Sequence, residues 1–120
     1  MVFTTGLKKN EDFRDVYQNG RSRSHSALVL YVKKNETEEN RLGVVVSKKV
    51  GNSVIRHRIK RLVKENYRLS ETSYKKGYDL VFVARKSAAE ADYYRIGRAM
   101  SALRSQLDVS QTAGESGEAQ

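Results

Sequence analysis

Lys48, Lys49, Arg56, Arg58, Lys60, Arg61, Lys64 and Arg68 crowd one 21-residue stretch that holds a single acid, Glu65. Arginine forks grip phosphate at two points, and lysines add point charges. Carried on one helix, these bases would form a ladder of phosphate contacts. A DNA-reading helix would set short polar readers such as Asn or Gln amid the bases. This stretch offers His57 and Asn66, and Asn66 falls on the apolar side of the helix. A helix that grips folded RNA by shape needs only the bases. Aromatic rings supply the other half of an RNA site by stacking on unpaired bases. Phe13, Tyr17 and Tyr31 are the candidates. Phe13 and Tyr17, at i and i+4, could equally fill a core. Tyr31 shares its strand face with the smaller Val29 and leans toward stacking.

Catalytic constellations are missing. A protein nuclease needs carboxylates converging on a metal, or a histidine acid–base pair. Glu36, Glu38 and Glu39 crowd a polar turn, and Asp79 sits inside a strand where it can pair with a base. His25 and His57 are 32 residues apart, and surface or hydrogen-bonding roles fit both. Gly43 and Gly51 make no phosphate-binding glycine pattern. With no cysteine, thiol catalysis, zinc fingers and disulfide scaffolds are excluded. The expectation is a binding chain with no catalytic residue, metal site or cofactor of its own.

The elements that must position these residues follow from periodicity. Asn10 is placed to cap a short helix whose Phe13, Val16 and Tyr17 share a face and which ends at Asn19-Gly20. Arg21–Ser26 reads as a loop or an edge strand. Ala27–Lys33 and Leu42–Val46 read as strands apolar on both faces, antiparallel partners across the turn at 35–40. A helix from about Ser53 to Leu69 places Ile55, Ile59, Leu62 and Leu69 in one core stripe and the bases on the opposite arc. Tyr78–Ala84 is a third strand. Ser87 with Glu90 resembles a capping box for a last helix, whose seam is Tyr93, Ile96, Met100, Leu103 and Leu107. The order predicted is α-β-β-α-β-α, an α+β fold with a possible extra edge strand.

The 120 residues are enough for one domain with one core. Lys and Arg number 23 against 14 Asp and Glu, a net charge of +9. The last thirteen residues, from Asp108, hold three acids and no base, and are expected to form a disordered tail to a domain of residues 1–107. The body then carries a net +12, a balance that points to an anionic partner. No apolar run is long enough for a membrane span, and the expected location is the cytoplasm.

The run SKKVGNSVIRHRIKRLVKENYRL, Ser47 to Leu69, resembles the signature of the bacterial ribonuclease P protein subunit family. That signature is an Arg-Asn-Arg block preceded by Lys-Lys-x-Gly-Asn-Ala and followed by Ile/Leu-Lys-Arg. LKKNEDFRDVYQNGRS resembles the family's first helix, and LVLYV, RLGVVVSKKVG and DLVFVARKSA follow in the family's order. His57 stands where Asn is usual, and Lys64 where Arg is frequent. Ser53 stands where Ala is usual and is placed to cap the helix. The resemblance, over roughly Leu7 to Leu107, implies a mixed sheet packed by helices, with the basic helix following a strand through a left-handed crossover. It implies a large catalytic RNA as partner, in a magnesium-dependent holoenzyme that removes the 5′ leader from precursor tRNA. By position it assigns RNA contact to Lys48, Lys49, Asn52, Arg56, His57, Arg58, Lys60, Arg61, Lys64 and Arg68. It assigns the leader cleft to Phe13, Tyr17 and Tyr31. The runner-up is a ribosomal or assembly-type RNA-binding protein; a metal-dependent nuclease acting alone stands third.

Overall fold

The computed structural model describes residues 1–111. In chain order the elements are β1 (Thr4–Gly6), α1 (Asn10–Asn19), β2 (Arg21–His25), β3 (Leu28–Lys34), β4 (Asn40–Val45), α2 (Ser53–Ser70), β5 (Tyr78–Ala84) and α3 (Tyr93–Gln106). One five-stranded mixed sheet runs in the order β1-β4-β5-β3-β2. Both of its faces are covered. Leu28, Leu30, Val32, Leu42, Leu80 and Phe82 face α2 and α3 in the main core. Tyr31 and Val81 face the other way, toward Leu7, Phe13 and Val16 under α1.

The most apolar strand takes the centre. β5 is almost wholly buried, antiparallel to β3 and parallel to β4. The expected pairing of β3 with β4 across the turn therefore does not occur. Their directions are opposed, but β5 lies between them, and the 35–39 segment spans its start. Asn35 N donates to Gly77 O there, and Gly77 takes φ +90 beneath the Thr37 carbonyl, where a Cβ would come within 2.7 Å of oxygen. The edge strand considered at 21–26 is β2. At the other edge β1 pairs in parallel with β4, a strand too short for its sequence to announce.

The β4–α2–β5 crossover has its hand fixed by chirality. Arg85 N donates to Ala27 O and Asn35 N to Gly77 O, so the odd-numbered residues of β5 bond toward β3. The even residues Leu80 and Phe82 then bond toward β4, and their side chains face α2. On an upward strand of L-residues, side chain toward the viewer, the peptide groups of that residue point right. Seen from α2, β4 thus lies to the right of β5, and the connection travels left. The crossover is left-handed, against the usual preference.

Three helix starts differ from the sequence reading. Asn10 is the first residue of α1, Lys9 holds the cap position, and no side chain caps it. Ser53 likewise lies inside α2, whose cap is Asn52, its Oδ1 accepting from Ile55 N at 3.0 Å. Ser87 falls in a 3-10 turn, Lys86–Glu90, and α3 is capped by Asp92, which accepts from Arg95 N at 2.8 Å. Gly20 does end α1, though by close approach: a Cβ there would meet the Val32 and Val16 carbonyls at 2.5 and 2.6 Å.

The expected start of the tail at Asp108 also shifts. Val109 is fully buried, Lys75 N donates to Val109 O, and Gln111 N to Ser73 O. Residues 108–111 are thus part of the packed body, and the rest of the expected tail lies outside the described residues. At the β1 edge a polar chain joins four elements. Asn40 Nδ2 donates to the Tyr67 hydroxyl at 3.2 Å, which contacts Thr4 Oγ1 at 2.8 Å, and Thr4 donates to Glu71.

Candidate nucleic-acid interface

α2 carries its burial on a stripe rotated from the one predicted. Ile59, Val63 and Tyr67 are its buried residues, with Ile55 and Leu62 half-buried beside them. Leu69, placed in the core by its angle, is 61% exposed. Asn66 does face inward, its amide donating to Leu62 O and Tyr93 O. The opposite arc presents His57, Arg61 and Lys64 to solvent with Lys60 at its margin, and Lys48 and Lys49 stand exposed on the preceding turn.

The bases do not form one uniform ladder. Arg56 donates to Gly51 O at 2.9 Å. Arg58 reaches across to the 3-10 turn and donates to Ala91 O and Ala89 O. The helical wheel sets Arg58 on the phosphate-facing arc, outside the core; the structure engages both its terminal nitrogens within the fold. Arg68 pairs with Glu65, which holds that carboxyl below its ordinary range. Lys48, Lys49, His57, Lys60, Arg61 and Lys64 form no ion pair among the described residues. Asn52, with Oδ1 committed to the cap, keeps its amide nitrogen free to donate.

The aromatic candidates do come together. Tyr17 meets Tyr31 edge-on at 4.9 Å between ring centres, and Phe13 lies 6.4 Å from Tyr17. Phe13 and Tyr31 are half-buried, while Tyr17 is 39% exposed. Phe13 packs close against β4 because position 43 is glycine: a Cβ there would lie 2.6 Å from the ring. Burial and the neighbouring Tyr31 push the Tyr17 phenol up, so it stays neutral at physiological pH. Two of the three α1 acids are engaged elsewhere, Asp15 by Lys33 and Asp12 by Arg41, and Arg41 also grips buried Asp79 at 2.8 and 2.7 Å.

Two grooves flank Phe13. One, of about 410 Å³, is lined by Asn10, Phe13, Arg14, Tyr17 and Val45. The other, of about 390 Å³, passes round the β1–β4 edge and brings Phe13 together with Lys8, Lys60 and Lys64. The aromatic face and the basic helix lie on opposite sides of the sheet, and this second groove joins them. Sequence reasoning passed over Lys8 and Arg14. The available signal was spacing, since Arg14 stands one helical turn before Tyr17. Among the described residues no three His, Asp or Glu gather as metal ligands. No described helix is long and apolar enough to cross a membrane.

A family model described as Ribonuclease P matches residues 3–108. The ribonuclease P protein component of Clostridium botulinum (strain Langeland) is 57% identical over 95 residues, covering 78% of this chain and 86% of that protein. The Clostridioides difficile component is 44% identical over 108 residues, covering 89% and 95%. The solved RNase P protein of Staphylococcus aureus superposes with a TM-score of 0.81 at 31% identity, over 91% of this chain and 98% of that one. For the Thermotoga maritima protein the TM-score is 0.78 at 28% identity, over 84% and 96%.

Proposed function

The chain belongs to the ribonuclease P protein family, and from that footing we propose how its surfaces divide the work of tRNA 5′ maturation. As the protein component of ribonuclease P it partners the enzyme's RNA and its substrate. In this reading the RNA performs the hydrolysis, with magnesium held on the RNA, and the protein alone is inactive. Lys48, Lys49, His57, Lys60, Arg61 and Lys64 neutralise phosphates of the catalytic RNA. Arg56 and Arg58 hold the N-terminal part of the helix in place for them. The leader of precursor tRNA lies along Phe13, Tyr17 and Tyr31, where unpaired bases stack. The work is done in the cytoplasm.

The observation that carries this reading is the groove shared by Phe13, Lys60 and Lys64. One strand can leave the aromatic face and pass directly onto the basic helix. Mature tRNA has no leader to place there, so the cleft favours substrate over product. The test is a cleavage assay on precursor tRNA, with the protein alone, the ribonuclease P RNA alone at low magnesium, and the two mixed. Correct 5′ processing restricted to the mixture supports the reading. Cleavage by the protein alone refutes it.

A further inference from the structure

A second basic surface lies on the opposite edge of the sheet, along β2 and α3, between the Asp92 cap and Asp108. β2 reads RSRSH and is exposed throughout; α3 reads YYRIGRAMSALRSQ. Neither contains an Asp or Glu, whereas a merely solvated helix mixes both signs. The two run side by side in opposite directions. Arg21 donates to Leu107 O at the end of α3, and Arg95 donates to Ser26 Oγ near its start. Five strand residues and twelve helix residues each span about 17 Å, so Arg23 falls opposite the middle of α3. Arg23 pairs with buried Leu30, so its side chain lies on the α3 face of the sheet. Arg98, one turn on from Arg95, lies level with His25.

Arg23, His25 and Arg98 are exposed and form no ion pair or side-chain hydrogen bond among the described residues. Ser101 and Ser105 on α3 add hydroxyls that also bond phosphate, while Ser22 and Ser24, paired with Tyr31 and Val29, lie on the other face of the sheet. Tyr94, 70% exposed and four residues before Arg98, adds an uncovered ring. Charge on an edge strand also deters strand addition. That role does not call for matching arginines and an open ring on the neighbouring helix.

We propose that β2 and α3 form a second RNA surface, which binds a phosphate backbone distinct from the one on α2. The inference rests on the reading above that α2 is RNA-facing. α2 and α3 pack side by side, Asn66 donating to Tyr93 O, but Lys60 and Lys64 stand on the far side of α2, in the groove with Phe13 and β1, so the two basic surfaces face different ways. The two surfaces therefore act as separate contacts, and the protein bridges two RNA segments.

The chain has no cysteine, so single exposed replacements can carry an iron–EDTA cleavage tether cleanly. Ser101→Cys samples α3 and Val54→Cys samples α2, in the complex with ribonuclease P RNA. The expected result is RNA cleavage from both positions at different nucleotides. In parallel, Arg23→Ala with Arg98→Ala should flatten the log–log salt dependence of RNA binding by about 1.8, from about 0.9 per phosphate, and the double Lys variant should restore it. Cleavage from Val54→Cys alone overturns this proposal and leaves the α2 reading standing. Silence from both removes both. An unchanged salt slope in the double Ala variant overturns the second surface whatever the tether reports.

Discussion

Tyr17 is the residue on which the proposed leader cleft turns. Tyr31 and Phe13 are half sunk into the sheet face, but Tyr17 stands above them with its ring open to a base. Stacking is worth roughly 1–3 kcal/mol per base. Tyr17→Ala is expected to weaken precursor tRNA binding to the assembled enzyme by about fivefold or more and to leave mature tRNA unaffected, while Tyr17→Phe keeps the preference. The ratio of the two affinities, measured for each variant, is the readout. Arg58 teaches the opposite lesson. Its angle on the helix said phosphate, yet its guanidinium bridges the carbonyls of Ala89 and Ala91. A helical wheel gives direction but not reach, and the turn that Arg58 meets lies over thirty residues further along the chain. Arg58→Ala should therefore destabilise the fold by about 1–3 kcal/mol by leaving two carbonyls unpaired. Denaturant unfolding checks this, and an RNA-binding loss at unchanged stability would contradict it.

Among the elements, β1 depends most on a single partner. Buried Glu71 accepts from Val2 N, Phe3 N and Thr4 Oγ1 at 2.8, 3.0 and 2.6 Å. Burial alone would raise its pKa, but these donors outweigh it and hold the carboxyl below its ordinary value of 4.5. A carboxylate with a lowered folded pKa adds stability above its unfolded pKa and loses it as pH falls through the folded one. Glu71→Gln should thus cost about 2 kcal/mol at neutral pH. The gap from wild type should close as the pH falls below the ordinary carboxylate value of 4.5 and through the lowered folded one; a gap constant with pH would refute the clamp. The Tyr78–Ala84 strand, the end of α1 and the span of the basic helix were legible because periodicity and Gly or Asn breaks mark them locally. The β3–β4 pairing was not, since two strands apolar on both faces pair equally well with a third. The cap at Ser87 misled for a related reason: the Ser-x-x-Glu spacing also suits a 3-10 turn, and Asp92 begins the true helix.

At the scale of the whole molecule, net charge sets how binding answers to salt. Replacing Lys60, Arg61 and Lys64 together by Ala should flatten the log–log salt dependence by about 2.7 if each meets one phosphate of duplex-like RNA. All three lie off the buried stripe of α2, so thermal unfolding should hardly change, and an unaltered slope would move the interface elsewhere. Anionic affinity was readable from composition alone, whereas the joining of two faces around one edge required the folded sheet. The central place of β5 has a further consequence, one of timing. A ribosome releases the chain in order, so α1, β2, β3, β4 and the basic α2 all emerge before the strand that β3 and β4 must pair with. Until Ala84 has cleared the exit, the strands on either side of the gap have no common neighbour. The nascent protein therefore offers its arginines and lysines to nearby RNA before the two halves of its sheet, β2–β3 and β1–β4, have the strand that joins them.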